Sequence, residues 1–139
     1  MHRSRASLAR AYRATAYRVG VADGEVILRI GQPSPGLQAL VAQQRAPGAT
    51  LITAWTPQSR RRPESRNQAA GRRLADELAA RAAVLLPYRA VADAGCWPAE
   101  AGLLVIGPGL AQMRHLARRY SQNAIVWLPA GGPARLIFL

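Results

Sequence analysis

Leu51-Ile52-Thr53-Ala54-Trp55-Thr56-Pro57-Gln58-Ser59 changes character at its midpoint. The first half is apolar and β-prone, as a buried strand requires. The second half breaks into a polar loop at Pro57. A strand that crosses a core and ends in Thr53, Trp55, Thr56 and Ser59 sets those groups at the rim of a sheet. Rims of α/β sheets are where ligands usually bind.

Outward from this strand, turn and helix signals divide the chain. Residues 1–9 read as a flexible basic tail. Ala11 to Val19 is rich in β-formers and partly alternating, a strand. Asp23-Gly24 is a hairpin signal, and residues 25–30 return as the second strand. Ser34 and Pro35 open a helix as cap and first residue, with Leu37, Leu40 and Val41 as its apolar stripe. The strand 50–55 follows.

Residues 64–83 read as the longest helix. Ser65 and Gln68 have capping-box spacing, and Ala70, Leu74, Leu78 and Ala82 form a stripe. Residues 84–88 read as a short strand, with Pro87 marking an edge or an end. A loop over 90–100 carries Cys96, Trp97 and Pro98.

Gly102-Leu103-Leu104-Val105-Ile106 is wholly apolar, as a strand covered on both faces is. Residues 108–120 form an amphipathic helix with Leu110, Met113, Leu116, Ala117 and Tyr120 facing inward. Asn123 to Leu128 is another apolar strand, and this strand–helix–strand unit predicts a parallel crossover. A turn at Ala130-Gly131-Gly132-Pro133 leads to a last strand, 134–139. The order β-β-α-β-α-β-β-α-β-β predicts an α/β (α+β) class: a single mixed β-sheet with about three helices packed on it. Residues 10–139 then form one globular domain.

The chain has 139 residues, half of them hydrophobic, enough for a real core. No apolar run approaches the ~20 residues that span a bilayer. The basic N-terminus has no apolar segment behind it, so a secretory signal is not expected. Cys96 is the only cysteine, which excludes an intrachain disulfide and fits a reducing, cytoplasmic location.

All 19 basic residues are arginine against seven acids, a net charge of +12. Compositional bias accounts for the missing lysine but not for the scarcity of acids. Such an excess attracts polyanions over long range. Arg60, Arg61, Arg62, Arg66 and Arg73 lie in the densest basic stretch, with Arg62, Arg66 and Arg73 on nearly one helical line. They are the nucleic-acid candidates. A solvated helix face is the competing reading.

Several polar groups resist a purely structural account. Asn67 lies seven residues before Leu74 and so shares the core-facing stripe of its helix. Gln122 and Asn123 immediately precede an apolar strand, and Trp97 and Glu100 precede another. If those two strands run in the same direction, these groups gather at one end of the sheet. The ligand-binding candidates are therefore Thr53, Trp55, Ser59, Asn67, Trp97, Glu100, Gln122 and Asn123. Backbone capping is the competing reading for Asn67, Gln122 and Asn123.

Glu100 is the sole candidate acid or base. Two histidines, one in the tail and one on an exposed helix face, leave no metal-binding spacing. Gly107-Pro108-Gly109 falls short of a phosphate-binding fingerprint. No cofactor is implied.

Thr53-Ala54-Trp55-Thr56-Pro57-x-Ser59, Asn67, Trp97-Pro98-x-Glu100 and Tyr120-Ser121-Gln122-Asn123-Ala124-Ile125 together resemble domain of unknown function family 3293. Its members are short bacterial proteins. Arg13-Ala14-Thr15-x-Tyr17 and Leu28-Arg29-Ile30-Gly31 are similar to its N-terminal part, so the resemblance runs over roughly residues 10 to 138. Thr56 stands where the family pattern commonly has Asn. Ala99 and Ala101 stand where it often has acidic and serine residues. The resemblance implies no substrate, cofactor or catalytic residue.

These features predict a binding domain for an anionic partner, a nucleic acid or a nucleotide, using the arginine-rich surface and a polar sheet-end pocket. A small enzyme built on the cluster around Glu100 and an interaction subunit for an acidic protein are the alternatives.

Overall fold

The computed structural model describes residues 4–56, 61–95 and 97–139. Four helices and seven strands follow in the order α1 (Arg5–Arg13), β1 (Thr15–Val21), β2 (Gly24–Leu28), α2 (Pro35–Gln43), β3 (Gly48–Ile52), α3 (Glu64–Ala79), β4 (Val84–Ala92), β5 (Glu100–Ile106), α4 (Leu110–Arg119), β6 (Ala124–Pro129) and β7 (Arg135–Phe138). From β1 onward this is the order expected from sequence. Among the described residues, no helix is long and apolar enough to cross a membrane.

The strands form one sheet in the order β2-β1-β4-β5-β3-β6-β7. Every neighbouring pair is antiparallel, which corrects the expectation of a mixed sheet. The physical reason lies in β3. It pairs antiparallel with both β5 and β6, so those two strands do run in the same direction, as the β5–α4–β6 crossover requires. They are never adjacent, because β3 separates them. Their N-terminal ends therefore meet the C-terminal end of β3 at one edge of the fold.

Alternation along the strands splits the core in two. Ala49 and Leu51 of β3, Leu104 and Ile106 of β5, and Val126 and Leu128 of β6 pack with Leu37 and Val41 of α2. Ile52, Val105 and Ile125 point the other way, onto Ala70, Leu74 and Leu78 of α3 and Met113, Leu116 and Ala117 of α4. Helices thus cover both faces, which is why β3 is buried along its whole length. Trp127 is buried opposite Thr50, and a methyl group on Gly48 would overlap its indole.

The N-terminal stretch differs from the sequence reading. Much of the expected loose tail is α1, capped by the Ser4 side chain, which accepts the Ser7 N–H at 3.1 Å. Leu8 is buried and Tyr12 packs against the first core, so a narrow stripe of Leu8, Ala11 and Tyr12 docks an otherwise arginine-rich helix. The first strand consequently starts at Thr15 rather than Ala11.

Other boundaries move too. Ser34 leads into α2 without capping it by side chain, and Pro63 precedes α3 in place of the expected capping box. Strand β4 is nine residues long and interior, although Pro87 argued for a short or edge strand. Pro87 ends only one of its two ladders. Pairing with β1 stops at Val19↔Tyr88, while pairing with β5 continues through Pro87↔Leu103 to Val84↔Ile106.

Candidate functional site

At the end of β3 the chain leaves the sheet, and side chains take up four of the backbone groups it exposes, the N–H of Trp55 and Thr56 and the carbonyls of Ala54 and Trp55. The Thr53 hydroxyl donates to the Ala101 carbonyl at 2.7 Å and accepts the Trp55 N–H at 3.0 Å, which ties β3 to the start of β5. Arg62 donates through Nη2 to the Ala54 carbonyl at 2.8 Å and through Nε to Asn67 Oδ1 at 2.7 Å. Asn67 Oδ1 also accepts the Thr56 N–H at 3.1 Å. Gln122 Nε2 donates to the Trp55 carbonyl at 3.1 Å and more weakly to the Tyr120 carbonyl.

This bracing supports one wall of a cavity of about 410 Å³ at the same end of the sheet. Its floor comes from the alternating face of β1, β4 and β5: Thr15 and Tyr17, Tyr88 and Ala90, and Glu100. Helix α1 contributes Leu8 and Tyr12 to the lining. Thr53, Trp55, Trp97, Gln122 and Asn123 complete the polar and aromatic rim. The volume lies within the range of small-molecule pockets.

Tyr17 and Tyr88 meet edge to face at 5.9 Å between ring centroids. Gly102 makes this possible: a side chain there would overlap the Tyr88 ring. Burial pushes both phenols well above their usual range. The second contribution is the neighbouring phenol of Tyr88 for Tyr17, and the negative charge of Glu100 for Tyr88.

Glu100 Oε2 accepts the Trp97 Nε1–H at 3.1 Å. Among the described residues Glu100 forms no salt bridge. Asp93, the other carboxylate in the lining, is gripped at both oxygens by Arg29 at 2.8 and 3.0 Å, and that hydrogen-bonded arginine lowers its pKa. Two acids therefore reach the cavity, but Arg29 neutralises one of them.

The candidates named from sequence separate into groups. Thr53, Trp55, Trp97, Glu100, Gln122 and Asn123 converge on the cavity. Asn67 does not; it is buried behind the loop as a scaffold for Thr56 and Arg62. Ser59 and Arg60 lie outside the described residues. Arg62 precedes α3 and turns inward onto Ala54 and Asn67, so it does not share the helical line of Arg66 and Arg73, both exposed on α3. Arg61 stacks its guanidinium over the Trp97 ring at 5.4 Å.

Tyr12, Tyr17, Tyr88 and Asp93 were not named as site residues from sequence. The alternation of Thr15, Tyr17 and Val19 along β1 was the available signal. Among the described residues no cluster of three or more His, Cys, Asp or Glu side chains is placed to hold a metal ion.

The molecule is thus a seven-stranded α+β domain with a ligand-sized, aromatic-walled cavity at one end of its sheet. The chain belongs to the family described as Protein of unknown function (DUF3293), which matches residues 52–125. That span runs from the last residue of β3 into β6 and contains every sequence-named cavity residue, whereas Tyr12 and Tyr17 fall before it. No curated protein and no solved structure matches the chain.

Proposed function

We propose that this chain is a binding domain whose sheet-end cavity takes a flat, ring-bearing small molecule that donates hydrogen bonds, such as the base of a nucleotide. One observation carries this reading: the Glu100 carboxylate, positioned by Trp97, sits in a 410 Å³ cavity walled by Tyr12, Tyr17, Tyr88 and Trp55. Aromatic walls accept a planar ring by stacking, and a carboxylate selects its exocyclic amino edge. Arg61, held over Trp97 at the rim, supplies a cation for a phosphate outside the cavity.

The excess of arginine supports a second, weaker contact with nucleic acid. Arg66 and Arg73 are exposed on α3 and enter no salt bridge among the described residues. With a net charge of +12, such a face attracts phosphodiester backbones without reading sequence.

A native mass spectrum of freshly purified protein tests the two readings together. A retained species of nucleotide mass, lost in Glu100→Gln, supports the cavity reading. Retained RNA fragments of mixed mass, released by salt and unaffected by Glu100→Gln, favour the arginine face. Equilibrium dialysis against nucleosides and nucleotides covers a ligand lost during purification. No retained species and no uptake from either set would overturn the cavity reading.

A further inference from the structure

On the face of the sheet covered by α3 and α4, a second concavity of about 430 Å³ lies between Arg62, the side of α3 that carries Ala70, Arg73 and Glu77, and the end of α4. Arg62, Arg73 and Arg119 line it, against a single carboxylate, Glu77. We propose that this groove is a site for a compact oxyanion, a terminal phosphate or pyrophosphate group, distinct from the sheet-end cavity.

The arrangement is built rather than incidental. Arg119 is pinned to Glu77 at 3.0 and 3.3 Å, and the Tyr120 hydroxyl donates to the same carboxylate at 2.9 Å. Both Glu77 oxygens are therefore occupied, and its charge is offset locally. Arg62 is held by Ala54 and Asn67 through two of its five donors, which leaves the others for a ligand. Arg73 enters no salt bridge among the described residues. Burial first, and then the like charges of Arg66 and Arg73, lowers the pKa of Arg62. The two held guanidinium groups, Arg62 and Arg119, lose little freedom on binding, and planar arginine donors match phosphate oxygens.

One feature of the groove opposes an anion: the C-terminal end of α4, where the helix dipole is negative. Its carbonyls are largely consumed, since Leu116, Ala117 and Arg118 accept the N–H groups of Tyr120, Gln122 and Ser121. The groove also touches the cavity's own support. Ala54, whose carbonyl takes Arg62, adjoins Trp55 of the cavity wall.

Isothermal titration with inorganic pyrophosphate at low ionic strength tests the proposal. The expected result is one site per chain that weakens as salt rises. Arg73→Ala should lower affinity roughly tenfold or more, the effect of removing a charged hydrogen-bond donor. Arg72→Ala removes an equal charge from an exposed position on the same helix and should leave affinity nearly unchanged. Absence of pyrophosphate binding would overturn the site. So would equal losses in the two variants, which would mark a diffuse basic face. Neither outcome bears on nucleoside uptake by the Glu100 cavity.

Discussion

The side-chain oxygen of Asn67 accepts the backbone N–H of Thr56 at 3.1 Å, and it holds the Arg62 Nε–H at the same time. One buried amide therefore fixes both the loop that walls the cavity and the arginine behind it. Asn67→Ala leaves a buried N–H and part of a guanidinium without partners. The expected cost is about 1–3 kcal/mol. A thermal melt is the check, and an unchanged midpoint would show that water replaces the amide at no cost.

Thr56 has φ 48°, in the left-handed region. A Cβ-branched residue is poorly suited there, whereas Asn tolerates it. Thr56→Asn should raise stability by up to about 1 kcal/mol, since the left-handed penalty is roughly 1–2 kcal/mol per residue. A lower melting midpoint would show that packing of the buried Thr56 side chain outweighs its backbone strain.

The seven strands were legible because their apolar runs are bounded by Gly, Pro and Asn, and the crossover placed Glu100 and Asn123 at one end of the sheet. The insertion of β3 between β5 and β6 was not legible: strand order depends on long-range pairing that no local pattern encodes. Helix α1 was hidden because little more than Leu8 and Tyr12 docks it, while Arg5, Arg10 and Arg13 share the rest of its surface with small residues. Asn67 was correctly placed on the buried stripe of α3, but the stripe does not say which groups a buried amide serves. Tyr17 and Tyr88 carry no local mark of a site in the sequence, and only the β1–β4 register, with Gly102 beneath Tyr88, places them at a cavity.

Thr50 is fully buried in β3, and its hydroxyl has no hydrogen-bond partner among the described residues. Burying a hydroxyl without a partner costs about 1–3 kcal/mol by mutational measures. Valine keeps the branched shape and removes the polar atom. Thr50→Val should therefore raise the midpoint of urea unfolding with an unchanged slope. A fall in the midpoint would reveal a hydrogen bond or water at this position.

Tyr120 gives the fold an alkaline limit. Burial, and then its hydrogen bond to Glu77, pushes the phenol from 10.0 up to about 12. A group raised in the folded state contributes stability in full below its unfolded pKa and loses it as pH climbs through the folded value. Stability should therefore fall between pH 10 and about 12. Tyr17 and Tyr88, raised by burial, steepen the same decline. Tyr120→Phe should flatten part of the melting temperature's fall over this window. An identical pH profile in the variant would show that Tyr120 titrates as an ordinary exposed phenol.

Glu100 offers the sharpest separation between site and scaffold. Its side-chain bond to the Trp97 indole survives in Glu100→Gln, because the amide oxygen still accepts. The charge is lost, and with it a charge-assisted bond to any amino group in the cavity. The melting temperature should stay close to that of the parent, while ligand affinity falls by roughly 1.5–3 kcal/mol, the worth of a hydrogen bond to a charged group. Trp97→Ala should weaken the same ligand by removing its ring from the cavity rim and freeing Glu100, again with little loss of stability, since the residue is 45% exposed. Two variants that melt normally and bind poorly assign Glu100 to recognition. If both instead lose stability while retained ligand binds as before, the carboxylate belongs to the scaffold.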